Sequence, residues 1–249
     1  MNKLNNHTEL ALLLLLIGVS LSTAGSFLIA NPWVTPFLGA AGAYPVFIAG
    51  IRGKQYIKTA VLMLIWGVFQ SVAIGLASAW FPETAAMTIA KGPTVATETF
   101  RWIETGEGVE GSISLFLPNH VRNYVIFCGL CCITVSSAAL LFGTYMLNYM
   151  NFYVAQLVTA SVNPLIALAV GWPVWSMLRV IGFILTGVAL AVVSLNLLAR
   201  LQHQPSRHVF PRRLLGIGIA FVVADIVVKA TLAPLWRQML HYALFGSWD

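Results

Sequence analysis

Hydrophobicity is nearly continuous from Val121 to Val170, interrupted only by Asn148, Asn151 and the Asn163–Pro164 step. A helix needs about 20 apolar residues to cross a hydrocarbon layer of about 30 Å, so this run alone holds two crossings. By the same ruler, spans are expected at about 9–30, 33–51, 56–80, 121–145, 150–171, 173–199 and 214–235. The expected fold is an all-α polytopic transmembrane helical bundle of about seven spans, a single integral membrane domain over 1–249. The second run is short and carries Gly39, Gly42, Pro45 and Gly50, which makes six spans plus a re-entrant segment the alternative.

Composition supports the membrane class. Of the 249 residues, 59% are apolar or aromatic and only 9% are charged, where a soluble globule carries roughly 25% charged residues. A single core of this size cannot hide the difference, so the surface itself is apolar, and lipid is the solvent that accepts such a surface. The net charge of +6 comes from Lys and Arg scattered through short loops rather than gathered on one face. A lipid bilayer and other membrane subunits are therefore the expected partners, and nucleic acid is not. Lys3 followed by Leu10 to Ile17 and the small residues Ser22, Thr23 and Ala24 can be read as a secretory signal; it is taken here as the first span.

Charge and tryptophan placement set the expected sidedness. Seven spans with a cytoplasmic N-terminus put Lys3, the Arg52/Lys54/Lys58 cluster and the Arg200/Arg207/Arg212/Arg213 cluster on one side. That side is cytoplasmic by the positive-inside rule, and the membrane is expected to be a prokaryotic cytoplasmic one. Tryptophan prefers the membrane–water interface, and Trp33, Trp80, Trp102, Trp172, Trp175, Trp236 and Trp248 all fall at the opposite face, with Trp66 alone in mid-membrane. The extramembrane segment 81–120 also falls on that opposite side. Within it, Thr94-x-x-Thr97-Glu98 opens a short interfacial helix whose apolar side is Phe100, Trp102 and Ile103. Glu104, Glu107 and Glu110 read as a solvated acidic loop, with divalent-cation binding as the alternative.

Three ionisable residues fall inside the expected spans: Arg179, Asp225 and Lys229. Each costs a few kcal/mol at mid-bilayer if unpaired. Asp225 and Lys229, four apart on one helix, are expected to pair with each other. At a rise of 1.5 Å per residue, Arg179 and Lys229 reach nearly the same depth and Asp225 lies about one turn deeper. The cluster then carries a residual charge of +1. It is either a structural lock between two helices or an anion or carboxylate site.

Asn148, Asn151, Gln156 and Asn163, bracketed by Tyr145, Tyr149 and Tyr153 and followed by Pro164, form a second polar group. It reads as a polar helix break of the kind that lines transporter sites, or as amides bonding between helices. Cys128, Cys131 and Cys132 include a CxxC, but no second CxxC or neighbouring His completes a ligand set, so they are small packing residues and no metal site is expected. His7, His203, His208 and His241 fall in loops or tails; His120 stands at the mouth of the fourth span. No cofactor is expected, with lipid or a quinone near His120 as the alternatives. Small residues at four-residue spacing, Gly18/Ser22/Ser26 and Gly182/Thr186, mark close helix packing. No HExxH, GxSxG or P-loop pattern occurs, and the chain is not expected to be an enzyme.

The stretch from about 113 to 191 runs from Ser-Leu-Phe-Leu-Pro-Asn119-His-Val-Arg-Asn123 through Asn148 and Asn151 to Gly171-Trp-Pro173 and Gly182/Gly187. It resembles the stage II sporulation protein M-like membrane family, in which an Asn-led span is followed by an Asn-Gly break and a Pro-His-Gly element with an acidic residue. Here the Gly after Asn is absent, and Pro173 is followed by Val-Trp-Ser, with Arg179 where an acid would stand. The resemblance implies a polytopic fold without catalytic activity and carries over no site residue. The expected function is a non-catalytic subunit or scaffold of a larger membrane complex; the alternative is a small-solute or anion transporter with its site around Arg179, Asp225 and Lys229.

Overall fold

The computed structural model describes the backbone of residues 2–205 and 208–247, with side chains from Thr8 onward. Arg207, Trp248 and the side chains of Lys3 and His7 lie outside the described residues. Among those described, the chain is all helix: α1 (Asn2–Ile29), α2 (Val34–Arg52), α3 (Tyr56–Trp80), α4 (Pro82–Thr88), α5 (Gly92–Thr105), a 3-10 turn (Val109–Gly111), α6 (Ile113–Thr134), α7 (Ser137–Ala160), α8 (Pro164–Val170), α9 (Val174–Leu201) and α10 (Arg212–Phe245). Five helices are long and apolar enough to cross a membrane: α1 from Thr8, α2, α3, α9 and α10. Their outward faces carry Leu21, Leu28, Val68, Val72, Val223 and Val227, all exposed. A helix apolar on every side belongs in lipid.

Two glycine crossings bring helices together. A Cβ at Gly18 would stand 2.9 Å from the Gly42 carbonyl oxygen, so α1 and α2 touch backbone to backbone. A Cβ at Gly182 would stand 2.9 Å from the Gly218 carbonyl oxygen and 2.7 Å from Val222, which fixes α9 against α10 in the same way. The small-residue ridges read from the sequence are thus used within the chain. In lipid such close approach takes the place of hydrophobic collapse as the source of packing energy.

Segment 33–51 forms one unbroken helix, α2, despite Pro45. Two boundaries differ from expectation. The expected spans 121–145 and 150–171 are replaced by α6 and α7, 22 and 24 residues long, because the chain turns at Val135–Ser136 and not at Asn148–Asn151. Both turn residues are left-handed, φ 50 and 62, a strained conformation for a β-branched residue, and neither is an obvious breaker. Neighbouring helices satisfy the turn: the Val135 amide donates to Ser194 Oγ (3.0 Å), and the Ser136 hydroxyl donates to the Gly187 carbonyl (2.9 Å). Tyr44 donates to the Val135 carbonyl (3.4 Å).

The expected interfacial helix is α5, but its apolar side does not face headgroups. Trp102 and Ile103 are fully packed inside, and Phe100 meets Tyr153 of α7 edge-on. With α4, α8 and the last turns of α10, α5 forms a lid over one end of the bundle. Of the expected tryptophan belt, Trp33 and Trp80 are exposed at that end, while Trp102 and Trp175 are core residues. The opposite end carries Arg52, Lys54, Lys58, Arg200, Arg212 and Arg213, and there Tyr56 meets His208 at 3.1 Å. Partial burial and the Lys54 charge hold the His208 imidazole below its usual pKa, favouring the neutral ring.

The glycine crossing predicts its own test. Gly182→Leu forces α9 and α10 apart and lowers stability by about 1–3 kcal/mol, whereas Gly75→Ala, where a Cβ meets nothing within 4 Å, is neutral or slightly stabilising. Unfolding curves in mixed detergent micelles read both.

Candidate functional site: a neutral four-charge cluster

The α9–α10 crossing places Arg179, one turn before Gly182, opposite Asp225, two turns after Gly218. Arg179 binds Asp225 through two parallel bonds, Nε to Oδ2 at 2.8 Å and Nη2 to Oδ1 at 3.1 Å. This fork-to-carboxylate geometry is the strongest ion pairing a side chain offers. Lys229 does not pair with Asp225, as the four-residue spacing suggested. Its Nζ lies 2.8 Å from Glu110 Oε2 and 4.6 Å from the centre of the Phe116 ring. Asp225 and Lys229 are each 1% exposed, and Glu110 is 35% exposed.

Glu110, expected in a solvated acidic loop, lies instead in the 3-10 turn between α5 and α6 and turns inward to Lys229. One signal for it was present in the sequence: a buried Arg, Asp and Lys leave one positive charge over, and an uncompensated charge in a low-dielectric interior is too expensive to stand. Two cations and two carboxylates make the cluster neutral.

The turn is held where it is by α10 itself. Two turns beyond Lys229, Arg237 donates to the carbonyls of Trp102, Ile103 and Glu104 (3.0–3.2 Å). These belong to the last turn of α5, where the helix dipole is negative and only the Trp102 carbonyl has a backbone partner, the Gly106 amide at 2.9 Å. One helix therefore carries Asp225, Lys229 and the clamp that positions Glu110.

His120 on α6 completes the site. Its Nδ1 lies 3.0 Å from the Phe116 carbonyl oxygen; a carbonyl only accepts, so Nδ1 is the protonated nitrogen. Nε2 is buried without a hydrogen-bond partner, 3.9 Å from Asp225 Oδ2. A cavity of about 130 Å³ opens here, bordered by Glu110, His120, Asn123, Tyr149, Arg179 and Asp225. His120 was singled out by position; its approach to Asp225 follows from α6 lying against α9 and α10, which no local pattern encodes.

The second polar group is not brought together as a break. Asn148, Asn151 and Gln156 lie within the continuous helix α7, and Gln70 of α3 donates to Asn148 (3.0 Å). This is the interhelical amide bond, not the unwound helix. Only Asn163 and Pro164 mark a real break: Asn163 precedes α8, and its backbone amide donates to the Ala243 carbonyl at 3.0 Å, fastening the break to the end of α10. The cysteines are free; Cys131 is buried with Phe127 and Phe183. No group of three His, Cys, Asp or Glu among the described residues is arranged to hold a metal ion. Comparison with protein-family models, curated proteins and solved structures gave no match.

The pairing predicts a specific pattern of rescue. Asp225→Leu alone strands Arg179 and costs about 3–5 kcal/mol, and Arg179→Met on top of it recovers most of the loss. Asp225→Leu with Lys229→Met strands both Arg179 and Glu110 and recovers little. Thermal unfolding of the single and double variants in mild detergent distinguishes these outcomes.

Proposed function

We propose that this chain is a multi-pass membrane protein that binds an anionic solute at the α6–α9–α10 cluster and carries it across the bilayer. One observation supports this reading over a purely structural lock: three of the four charged groups, Glu110, Arg179 and Asp225, border a polar cavity of about 130 Å³. A lock between helices gains strength from dense packing, whereas a polar cavity with the Arg179 guanidinium in its wall is a place for a small anionic ligand. The reading as a non-catalytic subunit of a larger assembly is the alternative; the Gly18 and Gly182 ridges do not call for it, since they meet partners inside the chain.

The proposed topology has the N-terminus and the basic end in the cytoplasm, by the positive-inside rule, and the α5 lid outside. Seven crossings remain one count; five crossings plus an α6–α7 hairpin dipping in from outside is the count that the hairpin tip favours. At 1.5 Å per residue, α9 runs roughly 10 Å past Ser194 and α2 roughly 12 Å past Tyr44, so the Val135–Ser136 tip stops short of the basic end. Non-helical backbone at that depth is tolerated where protein buries it, and both tip residues are buried. With Cys128, Cys131 and Cys132 replaced by Ala, an impermeant maleimide labels Glu107→Cys from outside and Gln204→Cys only from inside. Ile133→Cys, near the tip, stays unlabelled from either side. Labelling of Ile133→Cys from inside would restore seven crossings, and labelling of Gln204→Cys from outside would overturn the orientation.

Transport is tested in phosphatidylcholine proteoliposomes with radiolabelled acetate, phenylacetate and inorganic phosphate. Protein-dependent uptake of at least one is expected, lowered about tenfold or more, some 1.4 kcal/mol, by Lys229→Met. Absence of any protein-dependent uptake, or full uptake by folded Lys229→Met protein, refutes the reading.

A further inference from the structure

Beside the polar cavity lies a second one of about 110 Å³, between α3, α7 and α9, walled by Met63, Trp66, Phe127, Leu147 and Met150. The two share Met146, Tyr149, Arg179 and Phe183 as a common wall, so a charged chamber abuts an apolar one. We propose that the solute is a monocarboxylate with a compact apolar body, and that Glu110 occupies its carboxylate subsite on Lys229 in the unliganded protein. This deepens the anion-site reading above and rests on it.

Charge selects a monoanion. The cluster is neutral with Glu110 in place, and a ligand carboxylate that takes over Lys229 leaves it neutral while Glu110, already 35% exposed, turns to water. A dianion such as succinate would leave an excess negative charge in a low-dielectric interior, where charge is stable only when matched. The exchange is local, because Glu110 sits on a turn entered through Gly106 and Gly108, both at positive φ. Lys229 stands on α10 with its Nζ 4.6 Å from the centre of the Phe116 ring, and Glu110, which borders the polar cavity, separates it from that cavity.

Size and lining select the body. An apolar cavity of about 150 Å³ holds benzene, so the two chambers together take on the order of ten non-hydrogen atoms. That suits an aryl or short alkyl acid and excludes a diacyl lipid. Thioether and aromatic side chains adapt to such a body.

The test is equilibrium dialysis of the full chain in phosphatidylcholine nanodiscs, with empty nanodiscs as blank. The probes are phenylacetate, acetate and 2-phenylethanol, which carry respectively both features, the anion alone and the apolar body alone. Phenylacetate is expected to bind at least about tenfold more tightly than either other probe. Glu110→Gln, which removes the competing charge and keeps the shape, is expected to tighten phenylacetate by about three- to tenfold, and Lys229→Met to abolish its binding. Binding of 2-phenylethanol as tight as that of phenylacetate overturns the proposal, as does phenylacetate binding unchanged in Glu110→Gln, a readout that stands even if Lys229→Met fails to fold. Equal binding of acetate and phenylacetate, both tightened by Glu110→Gln, overturns the apolar body and leaves the anion site standing. Binding of neither anion refutes both readings.

Discussion

Charge inside a low-dielectric bundle is stable only when matched, and this requirement organises the molecule around α10. The Gly182–Gly218 approach sets the distance at which Arg179 meets Asp225 with both oxygens engaged. One turn further along, Lys229 carries a charge that nothing on α9 answers. The answer comes from a turn over a hundred residues earlier in the chain, and drawing Glu110 inward fixes where α5 ends and α6 begins. Arg237 then ties the last turn of α5 to the same helix. Site, lid and helix pair are consequences of one neutrality condition.

The remaining polar contacts follow the same logic with dipoles instead of charges. Gln70 and Asn148 answer each other across α3 and α7, and the Trp236 indole donates to the Val170 carbonyl at 2.8 Å, a group the short α8 leaves unpaired. In lipid, where apolar faces gain nothing by meeting each other, such pairs and the glycine contacts specify which helices are neighbours.

What could be read from the sequence was what depends on local composition. Apolar length located α1, α2, α3, α9 and most of α10, and spacing singled out Arg179, Asp225 and Lys229 as the groups lipid should not permit. What could not be read was what depends on a distant partner. Four-residue spacing favoured an Asp225–Lys229 pair, yet a bidentate guanidinium outcompetes an ammonium for the same carboxylate, and that choice is invisible until α9 and α10 are crossed. The turn at Val135–Ser136 carries no Gly, Pro or Asn; it exists because Ser194 and Tyr44 satisfy it. Asn148 and Asn151 look like breakers and are not, because α3 supplies an amide to Asn148. Trp102 has the composition of an interfacial residue, and α7 and α10 cover it.

The same turn bears on how the chain is built. Its two hydrogen-bond partners on α9, Gly187 and Ser194, lie 51 and 59 residues downstream. Of the tip's own backbone groups, the Val135 carbonyl is answered from upstream by Tyr44, and the Val135 amide waits for Ser194. The hairpin can therefore take its final place only once α9 has been synthesised, and the order in which its contacts close is not the order in which its helices are made.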